Sequence, residues 1–556
     1  KRLVESKNPL LDITIFEKKD EPGPGMPYSD EGACREHVTN VSDNEIPSII
    51  SHMKEWINTA SPELLNTFDM KPATFNEYKV VPRLFFGEYL SAQFKLLLNI
   101  ANQSGIVTNL IRNTSVTNME DNPEEKKVKV YTGNDSGYEF DLVVICTGHT
   151  WPKKHEGEVE GWFDSPYPPS KLNIKTNYPV AIRGASLTAL DAVKTLARQN
   201  GTFIKNEDHS LTYIPAEDSI DFKLVLHSIH GLLPGIRFHL EDPHLSVVSE
   251  FTEEEANKIM EANEGFIPLD YMFKRNFIEP LRLQKPAFYE QVKDMDLESL
   301  VTYLMDLRLR LDAFVLFKAE YAEAEKSIKR HQSVYWKEML ATLSYALNYP
   351  AKHMSAEDML RLKKILMPLI SIVIAFVPQS SCRELIALYD AGVLDIISVD
   401  HESKVEPGET GGAIYTHKSA AGEQQDRKYK MFIDAIGQAP VMYEHFPFEG
   451  LKRKGTVSEA FFKFKNAEAA EKESSLGNKQ VIQITEEDFY LKVPGININD
   501  HFQVLDKFGA YNNRIYVMAV PLIAGLNPDY SGLDFCETAS GTIVKSMFNE
   551  KETTSD

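Results

Sequence analysis

Cysteine is scarce in this chain: only Cys34, Cys146, Cys382 and Cys536 occur among 556 residues, all far apart. This spacing contains no C-x-x-C pair, so it excludes a local redox dithiol and offers no zinc motif. We therefore expect no metal site and no disulfide-reducing chemistry beside a cofactor. The same scarcity is typical of a reducing, cytoplasmic setting.

Positive charge is also in deficit. Lys and Arg number 60 against 81 Asp and Glu, which gives a net charge of −21. Such a balance argues against nucleic acid as the main partner, because phosphate backbones need a basic surface. The longest apolar run, residues 365–377, is too short to span a bilayer and contains Pro368 and Ser371. We expect no secretory signal and no membrane partner.

Glycine is sparse where a nucleotide fold would need it. Residues 178–197 contain a short apolar strand, a turn at Gly184 and a helical pattern that begins near Ser186, Leu187 and Thr188. A strand, a glycine turn and a helix N-terminus can together hold a diphosphate, because the first helical N–H groups point at it. The usual fingerprint has three glycines and this turn keeps one, so an ordinary strand–turn–helix packing unit is the alternative.

The pattern along the chain favours an α/β fold with largely parallel sheets. Strands are predicted at residues 13–16, 128–131, 142–145, 180–182, 224–226, 372–376, 432–433 and 514–518. Apolar residues at three- and four-residue spacing predict a helical insertion over 244–364. The polar segment 468–478 is predicted to be a loop.

Polar or glycine-rich segments follow two early strands. Glu17 ends the first predicted strand, where an acid can accept hydrogen bonds from a ribose, although a surface glutamate beside two lysines is the alternative. The stiff loop with Gly23, Gly25 and Tyr28 can pass close to a flat ligand or can be a plain connection. Thr147 and Gly148 end the strand predicted at 142–145. This break lets the chain pass close to a bound cofactor, and an ordinary connection between a strand and a loop is the alternative.

A second helix-start pattern lies near the C-terminus. Asp529, Ser531 and Gly532 come between a strand and a helix and would face whatever lies above the helix start. The alternative is a plain loop that caps a surface helix.

The order of these pieces resembles flavoproteins with two dinucleotide-binding domains, which bind FAD and a nicotinamide cofactor. More narrowly, the chain is similar to a bacterial FAD/NAD(P)-binding family related to flavin-dependent N-hydroxylating monooxygenases. The similarity is carried by residues 13–18, 25–28, 40–42, 81–83, 87–89, 184–188 and 528–532. It implies two Rossmann-like domains with a helical insertion.

The resemblance assigns roles to residues of this chain. It implies that FAD is bound by Glu17, Gly23, Gly25, Tyr28, Asn40, Arg83, Thr147, Gly148, Asp529, Ser531 and Gly532. It further implies that the nicotinamide cofactor's pyrophosphate is held by Gly184, Ser186, Leu187 and Thr188. The implied domains are residues 1–150 with 441–556 for FAD, 178–243 with 365–440 for NAD(P), and 244–364 as a substrate lid.

One feature departs from the family. Its first glycine-rich turn, which holds the FAD pyrophosphate, has no counterpart before Leu11. We expect either that an earlier strand and turn are absent from the given sequence, or that FAD is not held in the family's manner.

NADPH and NADH both remain open, with NADPH favoured. The strand at 224–226 ends in His227-Ser-Ile-His230 without an acid for a 2′-hydroxyl, and Arg237 follows as a candidate partner of a 2′-phosphate. An interface ion pair is the alternative for Arg237.

The implied activity is that of an NAD(P)H-dependent flavoenzyme, in its monooxygenase form acting on a small polar amine or amino acid through a flavin hydroperoxide. The cofactor carries the hard chemistry, so no catalytic side chain is predicted. A flavin reductase or oxidase and a non-catalytic nucleotide-binding scaffold are the alternatives. The oligomeric state is not predicted.

Overall fold

The computed structural model describes residues 1–133, 137–148, 151–240, 251–419, 422–527, 529 and 532–553. Strands and helices alternate, which confirms the α/β class. In chain order the strands are β1 (Asp12–Phe16), β2 (Val38–Ser42), β3 (Val80–Pro82), β4 (Val107–Ile111), β5 (Val116–Asn122), β6 (Lys127–Thr132), β7 (Gly137–Phe140), β8 (Val143–Ile145), β9 (Trp162–Phe163), β10 (Pro179–Arg183), β11 (Gly201–Lys205), β12 (Leu211–Pro215), β13 (Lys223–Ile229), β14 (Leu394–Val399), β15 (Lys404–Pro407), β16 (Ala413–Lys418), β17 (Gln424–Tyr429), β18 (Met431–Asp434), β19 (Glu459–Lys463), β20 (Val481–Gln483), β21 (Phe489–Ile496), β22 (Gln503–Leu505) and β23 (Tyr511–Val517).

The α-helices in chain order are α1 (Arg2–Glu5), α2 (Met53–Trp56), α3 (Pro62–Thr67), α4 (Arg83–Gln103), α5 (Leu187–Gln199), α6 (Glu253–Ala262), α7 (Leu269–Phe273), α8 (Glu279–Gln284), α9 (Pro286–Val292), α10 (Leu297–Leu309), α11 (Ala313–Arg330), α12 (Tyr335–Ala346), α13 (Ala356–Arg361), α14 (Met367–Val373), α15 (Gln379–Asp390), α16 (Glu449–Arg453), α17 (Ala467–Ser475), α18 (Val520–Ile523) and α19 (Gly532–Thr553). Two π-helical turns, Lys274–Ile278 and Leu362–Leu366, interrupt the helical region.

The five-stranded sheet is fully parallel, in the order β14-β13-β10-β18-β9. After β10 the chain adds β13 and β14 on one side of β10, and it later adds β18 on the other side. Ligands of open α/β sheets bind at such a reversal of strand order, beyond the carboxyl ends of the strands. Helix α5 covers one face with its apolar stripe of Leu190, Val193 and Leu196, which are all buried.

Two other sheets each contain one parallel pair of strands. β1 pairs with β4, and β8 pairs with β23, which also pairs with β22 in the antiparallel direction. The long helix α4 begins at Arg83 and buries Phe85, Phe86 and Tyr89 in a small core with Trp56. Arg83 is thereby held at the start of a rigid helix.

The predicted helical insertion is confirmed, since the described elements from α6 to α14 are all helical. Its apolar side chains share one core with β21 and β23. A buried ion cluster joins three of its helices: Glu320 of α11 accepts from Arg308 Nη1 at 2.6 Å and from Lys337 Nζ at 3.0 Å. None of the described helices combines the length and the apolar character needed to cross a membrane.

Two local predictions are wrong. Residues 372–376, predicted as a strand, include the end of α14, whose Leu369, Ile370 and Val373 are buried at helical spacing. A short β-branched run does not distinguish a buried strand from a buried helix. The segment 468–478, predicted as a loop, lies largely in α17, where Asn466 caps the helix and Ala470 is buried.

The glycine turn after β10 is built as predicted, and its geometry depends on glycine. Gly184 has φ of +106°, and a Cβ placed there would lie 2.8 Å from the carbonyl oxygen of Ala435. Two constraints therefore coincide: a left-handed backbone and the close approach of the chain that follows β18.

We expect Gly184→Ala to destabilise the protein by at least about 1–2 kcal/mol, because alanine disfavours this backbone and its methyl group meets Ala435. Denaturant unfolding measures the change. Gly133→Ala is the matched control, since a Cβ there meets nothing within 4 Å. Equal stability of the two variants would contradict the explanation.

Candidate active site

The start of α5 can receive an anion. Ser186 occupies the N-cap position but makes no side-chain capping bond. Within the described part of the chain, neither Leu187 nor Thr188 donates its backbone N–H to another residue. These donors, at the positive end of the helix dipole, are the arrangement that holds phosphate in dinucleotide folds.

A cavity of about 340 Å³ opens beside this helix start. Tyr28, Asn40 and Arg83, expected on the FAD side, line it together with Thr188, expected on the nicotinamide side. The remaining lining residues are Met26, Pro27, Gly32, Thr39, Trp151, Tyr167, Gly437, Gln438, Ala439, Pro440, Val520, Pro521 and Ala524. The structure thus brings together side chains from both expected cofactor regions in one cavity.

A buried carboxylate holds two of the polar groups that line the cavity. Asp191, on the second turn of α5, accepts from Arg83 Nη1 at 2.5 Å and from the Tyr167 hydroxyl at 2.6 Å. Arg83 Nε also donates to the carbonyl of Val38 at 3.1 Å. Burial opposes the charge of Asp191, but Arg83 and the hydrogen bond from Tyr167 keep its pKa below the ordinary value. Burial and the neighbouring Asp191 raise the pKa of Tyr167, so its phenol stays protonated.

His37 completes this network as a neutral ring. Its Nδ1 accepts from the backbone N–H of Cys34 at 3.0 Å, so the proton is on Nε2. Nε2 lies 3.2 Å from the carbonyl oxygen of Asp191 and 3.1 Å from Thr195 Oγ1. Burial lowers the pKa of His37, which agrees with the neutral form.

Among the expected FAD residues that are absent from the cavity lining, three lie near the end of β1 or in the loop that follows it. Glu17 stands at the end of β1, where its carboxylate accepts from the N–H of Lys19 at 2.9 Å. Gly23 has φ of +119°, and a Cβ there would lie 2.8 Å from the Cα of Ser91. This glycine therefore lets the loop approach α4. Gly25 has φ of +60° and serves the same turn.

The carboxyl end of β8 lies near the start of α19, since Cys146 and Cys536 interact. Cys146, Thr147 and Gly148 are exposed there, as is Cys536 on α19. Nevertheless burial raises the pKa of Cys146 to about 12, with a further contribution from Cys536. Both thiols remain protonated at neutral pH and are poor redox nucleophiles.

The loop before α19 and the first turn of α19 carry carboxyl groups, and this segment contacts the helical region. Burial raises the pKa of Asp529 to about 6, and burial likewise raises that of Asp534 to about 6. Ser344 of α12 donates to Asp529. Gly532 begins α19 with φ of +64°. Ser531, also predicted for this site, lies outside the described residues.

Two further bonds join the helical region to the segment before Asp529. Lys363, in the second π-helical turn, donates from Nζ to the carbonyl of Gly525 at 3.1 Å. Asn527 Nδ2 donates to the carbonyl of Asn348 at 2.7 Å. The helical region therefore supports the segment that precedes α19.

The structure does not place Arg237 at a phosphate site. Its guanidinium is buried, pairs with Glu45 and donates to Ser42 Oγ and to the carbonyl of Asn40, each at 2.7 Å. The interface ion pair, the alternative considered above, is what the structure shows. The hydrogen bonds already made by Arg237 account for its position.

His227, at the end of β13, is a neutral histidine inside an aromatic cluster. It stacks on Tyr415 with ring centroids 4.0 Å apart. Nδ1 lies 3.1 Å from the carbonyl oxygen of Val225 and therefore carries the proton, so Nε2 accepts from the Tyr429 hydroxyl at 3.2 Å. Burial lowers the pKa of His227 to about 4, with a smaller contribution from His417.

Sequence reasoning missed several residues of the cavity. Asp191 carried a usable signal: it stands four residues after Leu187 on the otherwise apolar face of α5, where a carboxylate needs a partner. Trp151 follows the predicted Thr-Gly break, and loop 437–440 follows a strand that was predicted. Tyr167 gave no signal, because its role depends on a contact 24 residues away.

Two parts of the chain match models of known protein families. Residues 1–150 match the family model described as FAD-NAD(P)-binding, and residues 252–374 match the YdhS-like middle domain. The first 150 residues are a FAD-NAD(P)-binding domain. This confirms the resemblance inferred from the sequence and the expected cofactor class. The domain contains Tyr28, Asn40 and Arg83 of the cavity.

The chain is similar along most of its length to YdhS of Escherichia coli K12, with 29% identity over 459 residues, or 81% of this chain and 83% of that protein. Among solved structures, it is similar to the ornithine N-hydroxylase of Kutzneria sp. 744, at 14% identity and a TM-score of 0.46, covering 99% of this chain and 96% of the other. The cadaverine monooxygenase DfoA of Erwinia amylovora gives 9% identity and a TM-score of 0.45, with 96% and 87% covered.

We expect Asp191→Asn to lower the free energy of unfolding by about 3 kcal/mol or more, because it leaves Arg83 without a counter-charge in a buried place. Thermal or urea unfolding measures it. Asp141→Asn is the control, since its pair with Lys127 is at the surface, where such pairs contribute about 0–1 kcal/mol. A loss no larger than that of Asp141→Asn would contradict a buried ion pair.

A second expectation concerns pH. The folded-state pKa of His227, about 4, lies below the ordinary value of 6.5, so protonation favours the unfolded chain. The stabilisation is complete above pH 6.5 and is lost as the pH falls toward 4, by an amount on the order of 3 kcal/mol. His227→Gln should flatten this decline in a series of unfolding midpoints, whereas His209→Asn, at an exposed turn, should not. An unchanged slope in His227→Gln would refute the assignment.

Proposed function

We propose that this chain is a FAD-dependent oxidoreductase that consumes NADPH or NADH and oxygenates a small polar amine or amino acid. The observation that carries the proposal is the shared cavity, in which Tyr28, Asn40 and Arg83 of the FAD-NAD(P)-binding domain meet Thr188 of the second dinucleotide turn. A reaction between two cofactors needs such a common space. The oxygenation step of the proposal rests on the resemblance of the sequence motifs to those of flavin-dependent N-hydroxylating monooxygenases.

The residues present fit two dinucleotides. The second turn offers open N–H donors at Leu187 and Thr188 and a glycine whose Cβ would clash with Ala435. The exposed ends of β8 and α19, at Thr147, Gly148 and Gly532, would hold the flavin part of FAD. When bound, the cofactors supply hydride transfer and oxygen activation.

The side chains of the protein orient the ligands and pair with charged groups. Asp191 keeps Arg83 charged and keeps the Tyr167 phenol pointing at one carboxylate oxygen, so both groups reach the cavity in one arrangement. Trp151 packs against Tyr167 at 5.3 Å between ring centroids and limits water there. Asp529 and Asp534, with pKa values of about 6, supply carboxyl groups that a cationic amine can pair with above that pH.

We also propose a division of the chain. Residues 1–150 and 441–556 would bind FAD, and 178–243 with about 374–440 would bind NAD(P). The helical region would end near 373 rather than at 364, because Leu369, Ile370 and Val373 of α14 pack in its core. We place the activity in the cytoplasm, in keeping with four cysteines that are all free thiols.

Cofactor chemistry tests the proposal directly. The full-length protein, supplied with FAD, should retain flavin absorbance after gel filtration and lose it on anaerobic addition of NADPH. In air, ornithine or cadaverine as probe amines should yield a hydroxylated product and reduce hydrogen peroxide release. Absence of bound flavin would support a scaffold and contradict the enzyme. Bound, reducible flavin with all reducing equivalents released as peroxide across a panel of amines would favour an oxidase or reductase.

A cavity-filling variant checks the place of the reaction. Ala439 lines the cavity and is exposed, so Ala439→Trp should fill it without disturbing the core. We expect flavin content to stay constant and the rate of flavin reduction by NADPH to fall about tenfold or more. Ala322→Trp, on the exposed face of α11, is the control. Unaltered reduction in Ala439→Trp would show that the cofactors meet elsewhere.

A further inference from the structure

Two histidines meet at the carboxyl edge of the parallel sheet. β13 and β14 are neighbours in register, with Ile229 opposite Val399. Each strand runs into a turn that presents an imidazole, His230 after β13 and His401 after β14. Their ring centroids lie 6.1 Å apart at an angle of 81°, and both residues are exposed.

The fold holds these two turns together. His230 has φ of +68° and Gly231 has φ of +63°, so the chain reverses sharply after β13. A Cβ on Gly231 would lie 3.0 Å from the Cβ of Ser398, which means that this turn rests against the end of β14. The spacing of the two rings is therefore set by packing.

This edge adjoins the dinucleotide turn. β10 pairs with β13, and the N–H of Gly184 donates to the carbonyl of His227 at 2.8 Å. In doubly wound folds the group at the end of this second strand meets the adenosine ribose near its 2′ position. An acid there binds two ribose hydroxyls, but β13 ends in His227, Ser228, Ile229 and His230.

Other charged groups near this edge already have hydrogen-bond or ion-pair partners. Asp400 accepts the N–H groups of Lys418 at 2.6 Å and Glu402 at 2.7 Å. Glu402 is also paired with Lys418. Arg237 is buried against Glu45 and does not reach the edge. Among these described groups, the imidazoles of His230 and His401 are the donors left for a phosphate.

We infer that His230 and His401 form the binding site for the 2′-phosphate of NADPH and set a preference for NADPH over NADH. The inference rests on the proposed function, since it assumes a dinucleotide at the Gly184 turn. A neutral imidazole donates one hydrogen bond to phosphate, and a protonated one adds charge attraction. Affinity for the 2′-phosphate should therefore rise as the pH falls from 8 to 6. Burial and His401 lower the pKa of His230, so its ring is neutral in the free protein near pH 7.

Two probes that differ only by the 2′-phosphate test the inference: adenosine 2′,5′-bisphosphate and adenosine 5′-monophosphate, with binding measured by calorimetry. The wild-type protein should bind the bisphosphate about tenfold or more tightly than the monophosphate. The double variant H230N/H401N should bring the ratio near one by weakening the bisphosphate alone. Asparagine tolerates the left-handed backbone at position 230, so the turn is preserved.

His209→Asn is the matched control, because His209 is also exposed and has φ of +67° but stands in the turn between β11 and β12. It should keep the wild-type ratio. Equal binding of both probes by the wild type, or an unchanged ratio in the double variant, would refute the histidine site while leaving the proposed function in place. Binding of neither probe would contradict the proposed function, and the inference with it.

Discussion

The carboxylate of Asp191 is the contact on which the geometry of the candidate site depends. It lies on the helix that begins at the dinucleotide turn, and it receives Arg83 from the start of α4 and Tyr167 from the connecting segment. A buried charge of this kind is costly unless every partner is in place. Three elements distant in sequence are thus required to meet at one carboxylate oxygen, Oδ2 of Asp191, and the cavity lies beside it.

A second buried pair supports the same arrangement. Arg237, beyond β13, bonds with Glu45 and Ser42 near β2. Together with Arg83 and Asp191 it connects the early FAD-NAD(P)-binding region to the parallel sheet at two places. Since removal of one partner leaves an unpaired charge, relative movement of the two regions would have to break both pairs together. The two pairs therefore favour a single relative orientation.

Local patterns predicted much of the fold, and the errors have both local and long-range causes. The Gly184 turn could be recognised because strand, glycine and helix start are contiguous. Arg237 could not be assigned, since its partner Glu45 is 192 residues away. Residues 372–376 were ambiguous because β-branched side chains suit either a strand or a buried helix. For the candidate site, Tyr28, Asn40, Arg83 and Thr188 line the cavity as residues from both predicted regions, whereas Tyr167 becomes visible only when the chain is folded.

The helical region bonds to the segment that precedes α19, whereas other elements hold the dinucleotide turn. These two parts of the molecule are therefore supported separately. Ser344, Asn348 and Lys363 support the segment that precedes α19, while the glycine turn and Asp191 lie on other elements. Substitutions in α12 or in the second π-helical turn can therefore reshape that segment without disturbing the dinucleotide turn. Such a layout lets ligand selectivity diverge among related proteins while the core that positions the cofactors stays constant.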